Sequence, residues 1–175
     1  IVCVDPASEA GQVVWLAYLE NVLPSTDIFL PSIDEILFMV DRAKYDRLVA
    51  EYGEDLVQGV DAELVKKTAS KLIDLGASVV VLKLGVHGLY LQTADSVPGQ
   101  DASWSNVSRF EATFCTDVVG TTGAGDSTIA GFLAAYLRGL SPEDALIAAL
   151  GVGSFCTESL DAVSAIPHWN ELQAR

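Results

Sequence analysis

Gly120-Thr121-Thr122-Gly123-Ala124-Gly125-Asp126 is entered from the apolar pair Val118-Val119 and left by a helical pattern that runs from Asp126 to Arg138 and closes at Gly139. Small residues at 123, 124 and 125 let the backbone turn tightly and leave its N–H groups unobstructed. The helix that follows starts with four unpaired N–H groups and roughly half a positive elementary charge. Loop and helix start together make an anion site suited to phosphate. The stretch is not a Walker A loop, because no Lys precedes Ser127 and the glycine spacing differs. Nor is it the dinucleotide loop G-x-G-x-x-G, since Thr128 stands at the third glycine position.

Asp126 separates this loop from a passive phosphate cradle. A carboxylate beside a phosphate is electrostatically unfavourable, and a protein that only held phosphate would do without it. It suits a general base that takes the proton from an attacking hydroxyl, while the N–H donors stabilise charge on a transferring phosphoryl group. The plainer role open to Asp126 is that of a helix cap.

Outward from this loop the chain alternates strands and helices. Ser78–Leu84 (SVVVLKL) is the clearest buried strand, and Gly85-Val86-His87-Gly88 turns it into a second strand, Leu89–Gln92, to complete a hairpin. Thr26–Leu30 reads as a short strand, and Ser32-Ile33-Asp34-Glu35 as a capping box opening a helix to about Val40. A further helix spans Gln12 to Val22, and Asp41–Val60 holds one or two surface helices broken near Gly53. Asp61 caps a helix through Leu75, with Gly76 at its C′ position. Thr93–Asn106 is turn-rich and predicted to be exposed, and Val107–Phe114 holds another strand. Ser141-Pro142-Glu143-Asp144 starts a helix that reaches about Cys156, and a short one covers His168–Gln173. The alternation predicts an α/β fold: a largely parallel central sheet with helices on both faces.

The 175 residues carry 24 Asp plus Glu against 10 Lys plus Arg, a net charge of −14, and half of them are apolar. That composition suits one real core and excludes disorder, which needs low hydrophobicity. It also speaks against nucleic acid as a partner, since the basic residues form no cluster beyond Lys66-Lys67. No apolar run approaches the roughly 20 residues of a membrane span. Cys3, Cys115 and Cys156 are widely spaced and odd in number, which fits a reducing, cytoplasmic setting rather than a disulfide framework. The chain opens on Ile1-Val2-Cys3-Val4-Asp5, a pattern of a buried strand delivering a polar side chain at its end. Domains rarely begin in mid-core, so the expectation is the C-terminal part of a longer protein.

With these residues in place, GTTGAGDSTIAGFL (120–133) resembles the C-terminal signature of the ribokinase-like (phosphofructokinase B-type) carbohydrate kinases. Val4-Asp5-Pro6 followed by Trp15 is similar to that family's V-D-P segment, and Pro31-Ser32-Ile33-Asp34-Glu35 to its P-N-x-x-E. Val81-Leu82-Lys83-Leu84-Gly85-Val86-His87-Gly88 resembles its strand and G-x-x-G turn. The likeness runs over nearly the whole chain. It implies a three-layer α/β/α ribokinase-like fold, with residues 1–175 as the C-terminal nucleotide-binding and catalytic-base part and the N-terminal part and lid missing.

The implied activity is transfer of the γ-phosphate of ATP to a carbohydrate hydroxyl, with Asp126 as base. The backbone of Gly123, Ala124, Gly125 and Asp126 would be the anion hole, and Glu35 would help hold Mg²⁺ through water. Lys83, Gly85, Gly88, Thr122 and Gly151 would line the nucleotide. The implied partners are a small-molecule sugar and, in the full-length enzyme, a second copy of the chain; this chain alone is expected to be inactive. Plainer roles stand beside these: capping for Glu35, a strand-end lysine for Lys83, hairpin geometry for Gly85 and Gly88, an exposed turn for His87. A nucleoside kinase of the same fold and a non-catalytic nucleotide-binding module are the alternative functions.

Four positions depart from the family pattern. Gly120 stands where the family usually has an Asp associated with a monovalent-cation site, so the resemblance does not extend to potassium activation. Ser32 replaces the Asn of P-N-x-x-E. Gly151-Val152-Gly153 occupies a region where many relatives carry an Asn near adenine; its glycines either leave room for the base or allow close helix packing. Thr128, where an aromatic is common, is expected to repack the core.

Overall fold

The structure, a computed structural model, describes residues 15–172. In chain order these form α1 (Trp15–Val22), β1 (Ile28–Phe29), α2 (Ile33–Val40), α3 (Arg42–Tyr52), α4 (Ala62–Asp74), β2 (Val79–Lys83) and β3 (Leu89–Thr93). Then follow β4 (Ser108–Glu111), α5 (Ala124–Tyr136), α6 (Pro142–Thr157) and α7 (Trp169–Leu172). The opening strand pattern and Val4-Asp5-Pro6 lie outside the described residues.

Several helix starts are made by side chains that satisfy otherwise orphaned N–H groups. Asp41 accepts from the Lys44 N–H at 3.1 Å, Asp61 from Leu64 at 2.7 Å and Ser141 from Asp144 at 3.2 Å. Each such cap stabilises its helix by about 1 kcal/mol. Gly53 and Gly139 end α3 and α5 at φ of +62° and +70°, conformations a side chain resists.

The strand order is β1-β2-β3-β4. Residue parity along β2 and β3 divides the sheet between two cores. Val80, Leu82 and Tyr90 face α1, α2 and α4, where Leu19, Ile36, Leu37 and Leu72 are buried. Val79, Val81, Leu89 and Leu91 face α5 and α6, against Phe132, Leu146 and Ala149. Helices thus cover both faces and the three-layer α/β/α arrangement is present. Each fully buried Leu, Ile or Val contributes about 1.5–3 kcal/mol relative to exposure, which is what holds the layers together.

Among the described residues the sheet is mixed: β1 pairs with β2 in parallel, whereas the expected β2–β3 hairpin and the β3–β4 pair are antiparallel. The physical reason is the short Gly85–Gly88 turn, because a parallel return needs a crossover of a dozen or more residues. Gly88, at φ +111°, has no room for a Cβ beside the Glu111 carbonyl, so the turn is drawn tight against the end of β4. One expectation changes: the segment 93–106 is not simply exposed. Trp104 is 1% exposed, donates its indole N–H to the Leu140 carbonyl at 3.2 Å, and stands edge-on to Phe132 and Tyr136. One large aromatic with a polar handle pins an otherwise turn-like stretch into the core.

Helices α5 and α6 run unusually close. A Cβ at Gly131 would come within 2.9 Å of the Ala148 carbonyl and of Val152 Cγ2.

Candidate active site

Helix α5 begins at Ala124, two residues before the expected Asp126, and Gly123 occupies the cap position at φ +79° with no side-chain cap. A Cβ at Gly123 would collide with Ala162, so only glycine fits the turn. The Ala124 N–H donates to the Thr121 carbonyl at 3.2 Å, and Ser127 donates to Gly123 at 2.8 Å. Among the described residues no acceptor meets the N–H groups of Gly123, Gly125 and Asp126. Three donors and a helix N-terminus are therefore available to an anion, while Ala124 spends its own donor on closing the turn.

Asp126 is exposed and lies in the first turn of α5. Its carboxylate makes no hydrogen bond or ion pair among the described residues, and the cap position belongs to Gly123. The capping role that would have explained Asp126 without chemistry is thus not the one it plays.

Lys83 ends β2 beside the start of α2. Its N–H donates to Pro31 at 3.0 Å, and Ser32 bridges it in parallel. Its Nζ lies 3.4 Å from where a Cβ on Gly125 would stand. Among the described residues no carboxylate pairs with this ammonium. A lysine facing a helix N-terminus sets like charges together; half a charge at about 4 Å costs on the order of 2 kcal/mol at an effective dielectric of 20. An anion between them reverses the sign of that term.

Glu35 sits in the first turn of α2, in the expected capping box: the Ser32 N–H donates to Glu35 Oε2 at 2.8 Å and the Glu35 N–H to Ser32 Oγ at 3.5 Å. One carboxylate oxygen is committed to the helix, and the other has no partner among the described residues. Gly85 and Gly88 bracket the β2–β3 turn, with φ of +56° and +111°, starting two residues after Lys83. His87 is exposed in that turn.

A cleft of about 580 Å³ lies along α6. One wall is Phe114, Cys115 and Thr116, a segment that leads in four residues to Gly120; α6 supplies Ala148, Gly151 and Phe155 as floor. The two glycines of α6 have different surroundings. Gly151 lines the cleft beneath Leu172 Cδ1, whereas Gly153 packs against Thr128 Oγ1, which itself donates to the Ala124 carbonyl at 2.8 Å.

The sequence reading missed the wall at residues 114–116, because the strand expected there ends at Glu111. It also missed a brace behind the turn. The Val119 and Gly120 N–H groups donate to Thr157 at 2.8 and 3.2 Å, and the Ser127 hydroxyl to Ala162 at 3.4 Å. The buried Cys156 thiol reaches the carbonyls of Thr122 and Ala162 at 3.4 and 3.3 Å. Next to Ala162, the Ser164 hydroxyl and the N–H groups of Val163 and Ser164 hold the Asp161 carboxyl down at about 2. Local patterns carry no signal for such contacts, since 119 and 157 are distant in the chain.

Among the described residues no helix is long and apolar enough to cross a membrane. The chain is 30% identical over 162 residues to an uncharacterized sugar kinase of Archaeoglobus fulgidus, covering 93% of this chain and 50% of that protein. It is 24% identical to an ATP-dependent 6-phosphofructokinase of Thermoanaerobacterium thermosaccharolyticum, over 95% of this chain and 44% of that one. It thus spans about half the length, or less, of the curated relatives it matches. In three dimensions it resembles the Arabidopsis thaliana ribokinase complexed with ribose and ATP, with a TM-score of 0.65 at 24% identity over 89% of this chain and 42% of that one. That likeness establishes the ribokinase-like fold. The family model of the pfkB family carbohydrate kinases matches residues 2–169, and the chain belongs to that family.

Proposed function

We propose that the protein transfers the γ-phosphate of ATP to a hydroxyl of a sugar, with Asp126 as the general base. One observation carries the reading: a carboxylate uncommitted among the described residues lies within a turn of three N–H donors that meet no acceptor among them, with the Lys83 ammonium close to Gly125. Asp126 takes the proton of the acceptor hydroxyl as its oxygen bonds to the γ-phosphorus and the bond to the β-phosphate oxygen breaks. The N–H groups of Gly123, Gly125 and Asp126 hold the charge spread over the transferring group, and Ala124 keeps the turn closed. Lys83 neutralises phosphate charge from the other side, with Thr122, Gly85 and Gly88 framing the same end of the nucleotide. Its base enters the cleft floored by Gly151.

The free oxygen of Glu35 fits a share in holding Mg²⁺, which binds through one or two carboxylates, waters and substrate phosphates rather than a full protein cage. The ion, when bound, neutralises phosphate charge. In this reading residues 1–175 are the C-terminal part of a larger kinase domain, whose remainder supplies most sugar contacts. The enzyme is a cytoplasmic homodimer, and the chain alone turns over no sugar.

The test is ADP formation by the full-length protein with Mg·ATP and a panel of sugars. Sugar-dependent turnover is expected; nucleotide binding with no turnover on any sugar or nucleoside would leave the binding-module alternative in its place.

A further inference from the structure

Behind the glycine turn lies a segment that neither helix nor strand shapes. Residues 158–168 join α6 to α7 and press on the turn at both its ends. A Cβ at Gly120 would stand 3.0 Å from the Ser159 carbonyl oxygen, and one at Gly123 would stand 3.1 Å from Ala162 Cα and collide with its Cβ. The Ala162 carbonyl also accepts from the Ser127 hydroxyl at 3.4 Å and the Cys156 thiol at 3.3 Å. A single residue of the segment therefore meets the cap of α5, its first turn and the end of α6.

The side chain that gives this segment its shape is Asp161. Its Oδ1 accepts from the Val163 N–H at 2.9 Å and the Ser164 N–H at 2.7 Å, and its Oδ2 from the Ser164 hydroxyl. Its own N–H donates to Ser159 Oγ at 3.2 Å. One carboxylate thus ties together the residues on both sides of Ala162.

From this arrangement we infer that Asp161 is a positioning residue of the anion hole: its carboxylate folds residues 159–164 so that Ala162 is held against Gly123. The inference rests on the reading of the Gly123, Gly125 and Asp126 N–H groups as that hole, and adds the residue that aims them. Asp161 acts through Ala162 and not on the phosphate. With Ala162 in place Gly123 is confined to its φ of +79°, from which the directions of the N–H groups follow. Such donors stabilise a transferring group only when aimed at the place where charge develops. Loosening them slows the transfer more than it weakens nucleotide binding, which Lys83 and the cleft still support.

The test is steady-state kinetics of the full-length protein with Mg·ATP and its preferred sugar, beside binding of ADP with aluminium fluoride, which imitates the transferring phosphoryl group. In Asp161→Ala, kcat is expected to fall about tenfold, with the KM for ATP changed less than about twofold and affinity for ADP with aluminium fluoride lowered in step with kcat. Asp161→Asn removes the charge but keeps the shape, since Oδ1 still accepts and the amide can donate to the Ser164 hydroxyl. Its kcat is expected within about twofold of the parent. Ala162→Gly, which leaves the bonds of Asp161 intact but removes the contact with Gly123, is expected to lower kcat in the same way. Combined with Asp161→Ala it should lose less than the product of the two separate losses, because both act through one contact. Parental kcat in Asp161→Ala overturns the inference, as does a higher KM for ATP with kcat unchanged. Equal losses in Asp161→Ala and Asp161→Asn would point to charge instead of shape and overturn it too. Should Asp161→Ala fail to fold, parental kcat in Ala162→Gly overturns it. If the unaltered protein phosphorylates no sugar, the proposed function fails first; an active parent with an unimpaired Asp161→Ala contradicts this inference alone.

Discussion

The ammonium of Lys83 stands 3.4 Å from the point that a Cβ on Gly125 would occupy, which places a strand-end cation against the N-terminus of α5. The two lie 42 positions apart and meet because β2 ends where α5 begins. Neither has another partner of opposite charge among the described residues. On the proposed reading, both donate to a shared anion, the phosphate of the nucleotide.

Replacing Lys83 by Met should therefore weaken binding of Mg·ATP by about 10- to 100-fold, the range for loss of a charge-assisted contact. Titration of a fluorescent ATP analogue would measure this, and Lys83→Arg should recover part of the loss. Equal affinity in Lys83→Met would show that the ammonium serves only to end a strand.

The turn depends on glycine for two separable reasons. Gly123 has φ +79°, and a Cβ there would meet Ala162. Gly123→Ala should cost about 1–2 kcal/mol for the left-handed backbone alone, with the collision in addition. Adding Ala162→Gly should relieve the collision but not the backbone term. Thermal unfolding of the single and double variants separates the two, and a Gly123→Ala variant as stable as the parent would contradict the turn geometry.

Trp104 offers a control for stability without chemistry. It is buried between Phe132, Tyr136 and the Leu140 carbonyl, and belongs to no part of the proposed site. Trp104→Ala should destabilise by about 3–5 kcal/mol, the usual range for emptying a large aromatic site. Denaturant unfolding would show it, while nucleotide affinity of the protein that remains folded should be unaltered.

Much of this site was legible in the sequence because its components are local. The glycine turn, the capping box at Ser32–Glu35 and the Gly85–Gly88 reversal each depend on residues within a few positions of one another, where residue type dictates backbone shape. The helix start was legible too, to within two residues. What escaped was pairing between distant segments. Turn-rich composition around Trp104 hid a core residue, since the buried area of one indole outweighs the polarity of its neighbours. The strand pattern at Val107–Phe114 merged β4 with the cleft wall, although only the first part pairs with β3. The contacts of Ala162 with the turn and of Leu172 with Gly151 arise from packing of α6 and the segments after it, and no periodicity announces them. The antiparallel return of β2 into β3 was legible from the tight glycine turn, whereas the antiparallel pairing of β4 with β3, across the intervening turn-rich segment, was not.

Whether Asp126 moves a proton is decided by kcat of Asp126→Asn in the full-length enzyme, with ATP and its preferred sugar. Asparagine keeps the shape and the first turn of α5 but cannot accept the proton. We expect kcat to fall by at least about 10²-fold, with little change in affinity for Mg·ATP. Turnover close to that of the parent would refute the assignment of Asp126 as the base.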